Sequence, residues 1–97
     1  MTRGTTPTYT ITIPSALNTD GITKLYLVFR QQAVVVSKLV DLSDLDKVKV
    51  TLTQNETLKF KVGEVCLQLV GKIGEETVFA TTVGRDEVKP ILLEGVI

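Results

Sequence analysis

The chain has no histidine, no tryptophan and a single cysteine, Cys66, in 97 residues. Each absence closes off some chemistry. Without histidine there is no Ser-His-Asp triad, no ordinary zinc site and no common general base at neutral pH. With one cysteine there is no internal disulfide, which fits a reduced cytosolic folding environment. Cys66 also lacks the histidine that usually activates a nucleophilic thiol, so it reads as a small buried or half-buried hydrophobe. Aromatics make up only 5% of the chain, so the core must be built from Val, Leu and Ile. Formal net charge is zero, from 11 basic and 11 acidic side chains, whereas a phosphate-reading nucleic-acid binder shows a basic excess or stripe. Lys47/Lys49 and Lys59/Lys61 are the densest basic spots, and they read as solvated strand faces. The longest apolar run, Ala33-Val34-Val35-Val36, is far too short to span a membrane, and no secretory signal pattern is visible at the start. The expectation is a soluble product, intracellular when made, with no membrane partner.

What is present is β patterning. Ninety-seven residues suit one domain, long enough to bury about 60–65% of its unfolded surface without staples. From Lys47, residues alternate, with Val48, Val50 and Leu52 on one side and Lys47, Lys49, Thr51 and Thr53 on the other. Thr53-Gln54-Asn55-Glu56 then has the capping-box form of a helix start. Only a turn or two fits before Gly63, where Val65, Leu67 and Leu69 resume the alternation. Strand, short helical crossing and strand predict an arch between the two sheets of a sandwich, because the link is too long for a two-residue hairpin turn.

The flanks read the same way. Tyr9, Ile11 and Ile13 share one face of a first strand that Pro14 stops or confines to an edge. After the polar Asn18-Thr19-Asp20-Gly21 turn signal, Leu25, Leu27 and Phe29 alternate with the apolar Tyr26 and Val28. Apolar residues on both faces mark a central strand that is covered twice or lies next to a partner. Gln31-Gln32 leads into a hairpin mate, AVVVSKLV, and an acidic link with Asp41, Asp44 and Asp46 follows. Lys72 to Glu76 forms a hairpin connection, with its return strand over residues 77–83 and a stop at Gly84-Arg85-Asp86. The fold class is therefore all-β: an antiparallel, immunoglobulin-like β-sandwich of six or seven strands with a short helical turn near residues 54–59. Residues 1–97 form one domain, with 1–7 a flexible N-terminal arm and 88–97 an apolar C-terminal strand or arm.

No catalytic constellation emerges, so the protein is not expected to be an enzyme and no cofactor is expected. Asp41/Asp44/Asp46 and Glu75/Glu76 fall in turn-like stretches, and the aspartates match no EF-hand loop. Gly71 and Gly74 form neither GxGxxG nor a P-loop. Tyr9, Tyr26, Phe29, Phe60 and Phe79 all read as core or near-core rather than as a base-stacking or sugar platform.

Four segments carry a resemblance: Arg3-Gly4-Thr5-Thr6-Pro7-Thr8, Leu25-Tyr26-Leu27-Val28-Phe29-Arg30-Gln31, the stretch from Val50 to Phe60, and Leu93-Glu94-Gly95-Val96-Ile97. Together they resemble a family of short proteins encoded among virion structural genes in phages and prophages of Gram-positive gut bacteria. The overall order is also similar, at the level of architecture, to the N-terminal β-sandwich of phage baseplate upper proteins. The chain departs from that pattern at Gln68-Leu69-Val70-Gly71-Lys72, where an aromatic-rich or basic strand is expected. The resemblance implies a non-enzymatic tail, baseplate or head component, binding other virion proteins or itself, with no nucleic acid and no small-molecule substrate. Two other classes stay open: a carbohydrate-binding or adhesion module, which a glycan array would reveal, and a small inhibitor of a host protein. Five of the last seven residues are apolar, so the tail either closes its own sheet or adds as a strand to a neighbour. The candidate partner contacts are accordingly Arg3, Thr5 and Thr6 in the N-terminal arm, and Ile91, Leu92, Leu93, Val96 and Ile97 in the tail.

Overall fold

A computed structural model describes residues 1–13, 21–42 and 48–90. Its elements are β1 (Thr8–Ile11), β2 (Lys24–Gln31), β3 (Val34–Leu39), β4 (Val48–Thr51), α1 (Gln54–Leu58), β5 (Gly63–Ile73) and β6 (Glu76–Val88). They form two antiparallel sheets, β1-β4 and β3-β2-β5-β6. This is an immunoglobulin-like order. The larger sheet follows the C′-C-F-G arrangement of a variable-type domain, and the smaller one follows B-E.

The arch predicted between β4 and β5 is real, since those strands lie in different sheets. Its helical turn starts as the sequence predicts. Thr53 Oγ1 accepts from the Glu56 N–H at 3.2 Å, and the Thr53 N–H donates to Glu56 Oε1 at 2.8 Å. A cap of this kind is worth about 1 kcal/mol. Lys38 Nζ, 2.9 Å from the same carboxylate oxygen, ties β3 of the opposite sheet to the cap.

One core joins the sheets. Leu25, Leu27 and Phe29 of β2, Val36 of β3, and Val65, Leu67 and Leu69 of β5 pack with Val48, Val50, Leu52, Phe60 and Val88. The alternation read from the sequence places those of β2, β4 and β5, with Leu52, inward. Gly71 belongs to this face for a steric reason. A Cβ there would lie 2.4 Å from the Phe79 ring, which occupies the space in its place.

Three expectations need correction. The return strand does not stop at Gly84-Arg85-Asp86, because β6 runs from Glu76 to Val88. It stays paired because two bulges absorb the mismatch: the register jumps from Gly84 to Thr82 opposite Leu67/Gln68, and from Phe79 to Thr77 opposite Gly71/Lys72, leaving Val83 and Val78 as extra residues. Val88, read as the first tail residue, is a fully buried end of β6. Residues 1–7 are not a free arm. The Met1 ammonium donates to Asp86 Oδ2 and to the Glu87 carbonyl, both at 2.9 Å, and Thr2 forms a parallel bridge to Lys89. Arg3 Nε donates to the Phe60 carbonyl at 2.7 Å, and Gly4 N–H donates to the buried Thr57 Oγ1 at 3.0 Å. The segment docks because it satisfies backbone groups around the helical turn that would otherwise lack partners.

Candidate interaction surface

The two faces of the larger sheet differ in what covers them. Its inner face meets β1 and β4; its outer face meets no element among the described residues. Strand register arranges the outer side chains in five rows. Lys24 stands opposite Lys72, and Leu39, Tyr26, Val70 and Ala80 form the next row. Ser37, Val28, Gln68 and Thr82 occupy the middle. Val35, Arg30, Cys66 and Arg85 follow, and Glu64 opposite Glu87 closes the face.

Three properties set this surface apart. It exposes large apolar side chains on the edge strand β3, with Leu39 at 65% and Val35 at 45% exposure. Beside Leu39 lies a shallow hollow of about 170 Å³ lined by Tyr26, Val28, Ser37, Val70 and Lys72. And its ends carry like charges in direct opposition, lysine on lysine at one end and glutamate on glutamate at the other. Such cross-strand pairs are unfavourable within one chain. The structure moderates them locally: Arg85 Nη1 lies 2.9 Å from Glu64 Oε1, and Lys72 Nζ sits 5.9 Å from the Tyr26 ring centre. Tyr26 and Val28 are the residues whose apolar character on the second face of β2 called for a cover or a partner. Cys66 is half-buried within the fourth row, as expected of a small hydrophobe.

Of the sequence-predicted contact residues, Arg3, Thr5 and Thr6 are described, and they lie in the N-terminal segment rather than on this face. Arg3 and Thr5 are spent on the chain itself: Arg3 on the Phe60 and Leu58 carbonyls, and Thr5 through Oγ1 to the Thr2 carbonyl at 2.6 Å. Thr6 is exposed. Ile91, Leu92, Leu93, Val96 and Ile97 lie outside the described residues, as do Asp44 and Asp46 of the acidic link. Among the described residues, Arg3 and Thr5 are engaged within the chain and Thr6 alone of the three is exposed. The outer face was missed because its pattern exists only across strands. Its one local signal was the double-sided hydrophobicity of β2.

A larger open groove of about 530 Å³ lies at the lower end, lined by Arg30, Gln31, Gln32, Lys61, Val62, Gly63, Glu64 and Cys66. Its central amide is already committed. Gln31 Oε1 accepts from the Lys61 N–H and Gln31 Nε2 donates to the Lys61 carbonyl, both at 2.7 Å. That side chain acts as an added rung holding β2 to the start of β5, and its polar atoms are turned to the backbone rather than to a ligand. Among the described residues, no group of three or more Cys, Asp and Glu side chains is placed to hold a metal ion. No helix among them is long and apolar enough to cross a membrane.

The electrostatically distinctive cluster is internal. Tyr9 Oη donates to Asp86 Oδ2 at 2.6 Å, beside the Met1 ammonium. Burial pushes the Tyr9 hydroxyl up, and the hydrogen bond to the Asp86 carboxylate and its negative charge push it further. Burial alone would raise Asp86. Hydrogen bonds from Tyr9, the Met1 ammonium and the Glu87 N–H outweigh that and hold the carboxyl below its usual range. The cluster fastens the N-terminal segment and β1 to β6. It presents no free group to a substrate.

Compared with family models, curated proteins and solved structures, the chain matches none of them.

Proposed function

We propose that this protein is a non-enzymatic structural or assembly component of a phage particle, a tail, baseplate or head piece that works through protein–protein contacts. The outer face of the four-stranded sheet carries the reading. It spans four strands, has apolar side chains along one edge, and is charged in blocks at its ends, the anatomy of a protein contact rather than of a small-molecule pocket. The five aromatics support it from the other side. Phe29 and Phe60 are buried, Tyr9 and Phe79 pack on the core, and Tyr26 lies under Lys72, so no exposed aromatic platform for a sugar ring is built. The resemblance to virion-associated proteins supplies the setting. The partners are other virion proteins or further copies of the chain.

Particle composition tests this reading. Prophage is induced from a strain carrying the gene, particles are purified on a density gradient, and their proteins are identified by mass spectrometry. The expected result is peptides of this chain co-migrating with tail or head proteins at a fixed ratio. A chain that is expressed after induction but absent from intact particles contradicts the proposal.

A further inference from the structure

We infer that the partner on the outer face is a second copy of the same chain, packed face to face about a two-fold axis that runs across the strands. This rests on the reading of that face as a protein contact and adds the identity of the partner.

The rows carry the argument. A two-fold axis lying between two such faces and perpendicular to the strands keeps β3 over β3 and reverses the order of rows. The end bearing Lys24 and Lys72 then lies over the end bearing Glu64 and Glu87 of the other copy, at both ends of the interface. Strand by strand, Lys72 faces Glu64 at each end because both lie on β5, while Lys24 on β2 and Glu87 on β6 add opposite charge to the same end without facing each other. The second row falls on the fourth. Leu39 meets Val35, the two exposed apolar residues of the edge strand β3, and Tyr26 falls opposite Arg30, a cation set over an aromatic ring. Val70 meets Cys66. The middle row meets itself, so Ser37, Val28 and Gln68 face their own counterparts, as an isologous contact requires. No other assignment of rows pairs both charged ends with their opposites.

The area agrees. Four strands and five rows span about 20 Å by 30 Å including side chains, or about 600 Å² per copy, near the lower bound for a specific interface. The contact is therefore a modest one that forms as concentration rises.

Charge reversal with mixing tests it. Light scattering after size exclusion is run from about 10 μM to about 1 mM, a range that covers weak association. The wild-type chain is expected to double its mass from 10.6 kDa as concentration rises. K24E/K72E makes both ends of the face acidic and E64K/E87K makes both ends basic, so each variant alone is expected to stay monomeric. An equimolar mixture of the two is expected to form a dimer. All four positions are on the surface, and circular dichroism confirms folding. L39E, which alters no row charge at the ends, is a second variant expected to weaken association at least tenfold. A wild-type chain that is monomeric throughout, or reversal variants that dimerise alone as well as when mixed, overturns the inference. Particle composition keeps the two claims apart: a monomeric chain still found in particles sinks self-pairing only, and a dimer absent from particles sinks the virion assignment only.

Discussion

The two faces of the four-stranded sheet are made by the same strands, residue by residue in alternation, and follow different rules. Leu25, Leu27 and Phe29 on the inner face of β2 have no exposure at all. Their neighbours Tyr26 and Val28 on the outer face are half-buried by flanking side chains alone. The centre of the inner face is apolar, built on β2 and β5 from Leu25, Leu27, Phe29, Val65, Leu67 and Leu69, and polar groups such as Lys38 and Asp86 sit on its outer strands with partners of their own. The outer face is graded, from lysines through an apolar belt and a polar centre to arginines and glutamates. A core needs only complementary shape and dryness. A graded face serves recognition, because order along the strands gives a partner a register. On the proposed reading, stability and association are thereby separated by one residue of strand phase.

The largest test of that contrast is truncation on either side of the sheet. Phe29→Ala should lower stability by about 3–5 kcal/mol, through lost burial and the cavity left beside Tyr9, whose ring lies 5.0 Å away. Leu39→Ala should change the stability of the dilute monomer by no more than about 0.5 kcal/mol. Urea unfolding at low protein concentration reads both. Comparable losses at the two positions would break the distinction between the faces.

A smaller and sharper test uses pH. Folding lowers the Asp86 carboxyl, through the Tyr9, Met1 and Glu87 hydrogen bonds acting against burial. It also lowers Glu56, whose burial is outweighed by Lys38 and the Thr53 cap. Their contribution is fully present above about pH 4, the unfolded carboxyl range, and is lost as pH falls through the lower folded values. Folding raises the Tyr9 hydroxyl, so its contribution is full below about pH 10 and is lost as pH rises beyond that. Unfolding free energies measured in steps from pH 3 to 11 should therefore fall at both extremes. Tyr9→Phe should cost about 1–2 kcal/mol at neutral pH and abolish most of the alkaline loss. It should leave the acid loss contributed by Glu56 in place. None of this involves the outer face, and association should follow Lys24, Lys72, Glu64 and Glu87 in its place.

What could be read from the sequence divides along the same line. The capping box and the strands beside it were legible because both signals are local: Thr53 and Glu56 are three residues apart, and alternation repeats every two. The inner face was legible for the same reason, and β2 was recognised as central from Tyr26 and Val28. The continuation of β6 was not, because a glycine followed by charge looks like a strand end. The bulge at Val83 that keeps the strand paired depends on β5. The docking of residues 1–7 was hidden because Arg3 and Gly4 find their partners more than 50 residues away. The rows of the outer face were hidden most completely. Lys24 and Lys72, 48 residues apart, become neighbours only once β2 pairs with β5, and the full rows need all three strand registers of the sheet.

The most direct measurement is the melting temperature as a function of protein concentration, for the wild-type chain and for L39E. A folded dimer is stabilised by mass action, so the account predicts a wild-type melting temperature that climbs with concentration. L39E should give a flat line that meets the wild type at the dilute limit. A wild-type melting temperature independent of concentration would contradict the account, as would an L39E chain already less stable at the dilute limit, because Leu39 would then belong to the fold and not to a contact.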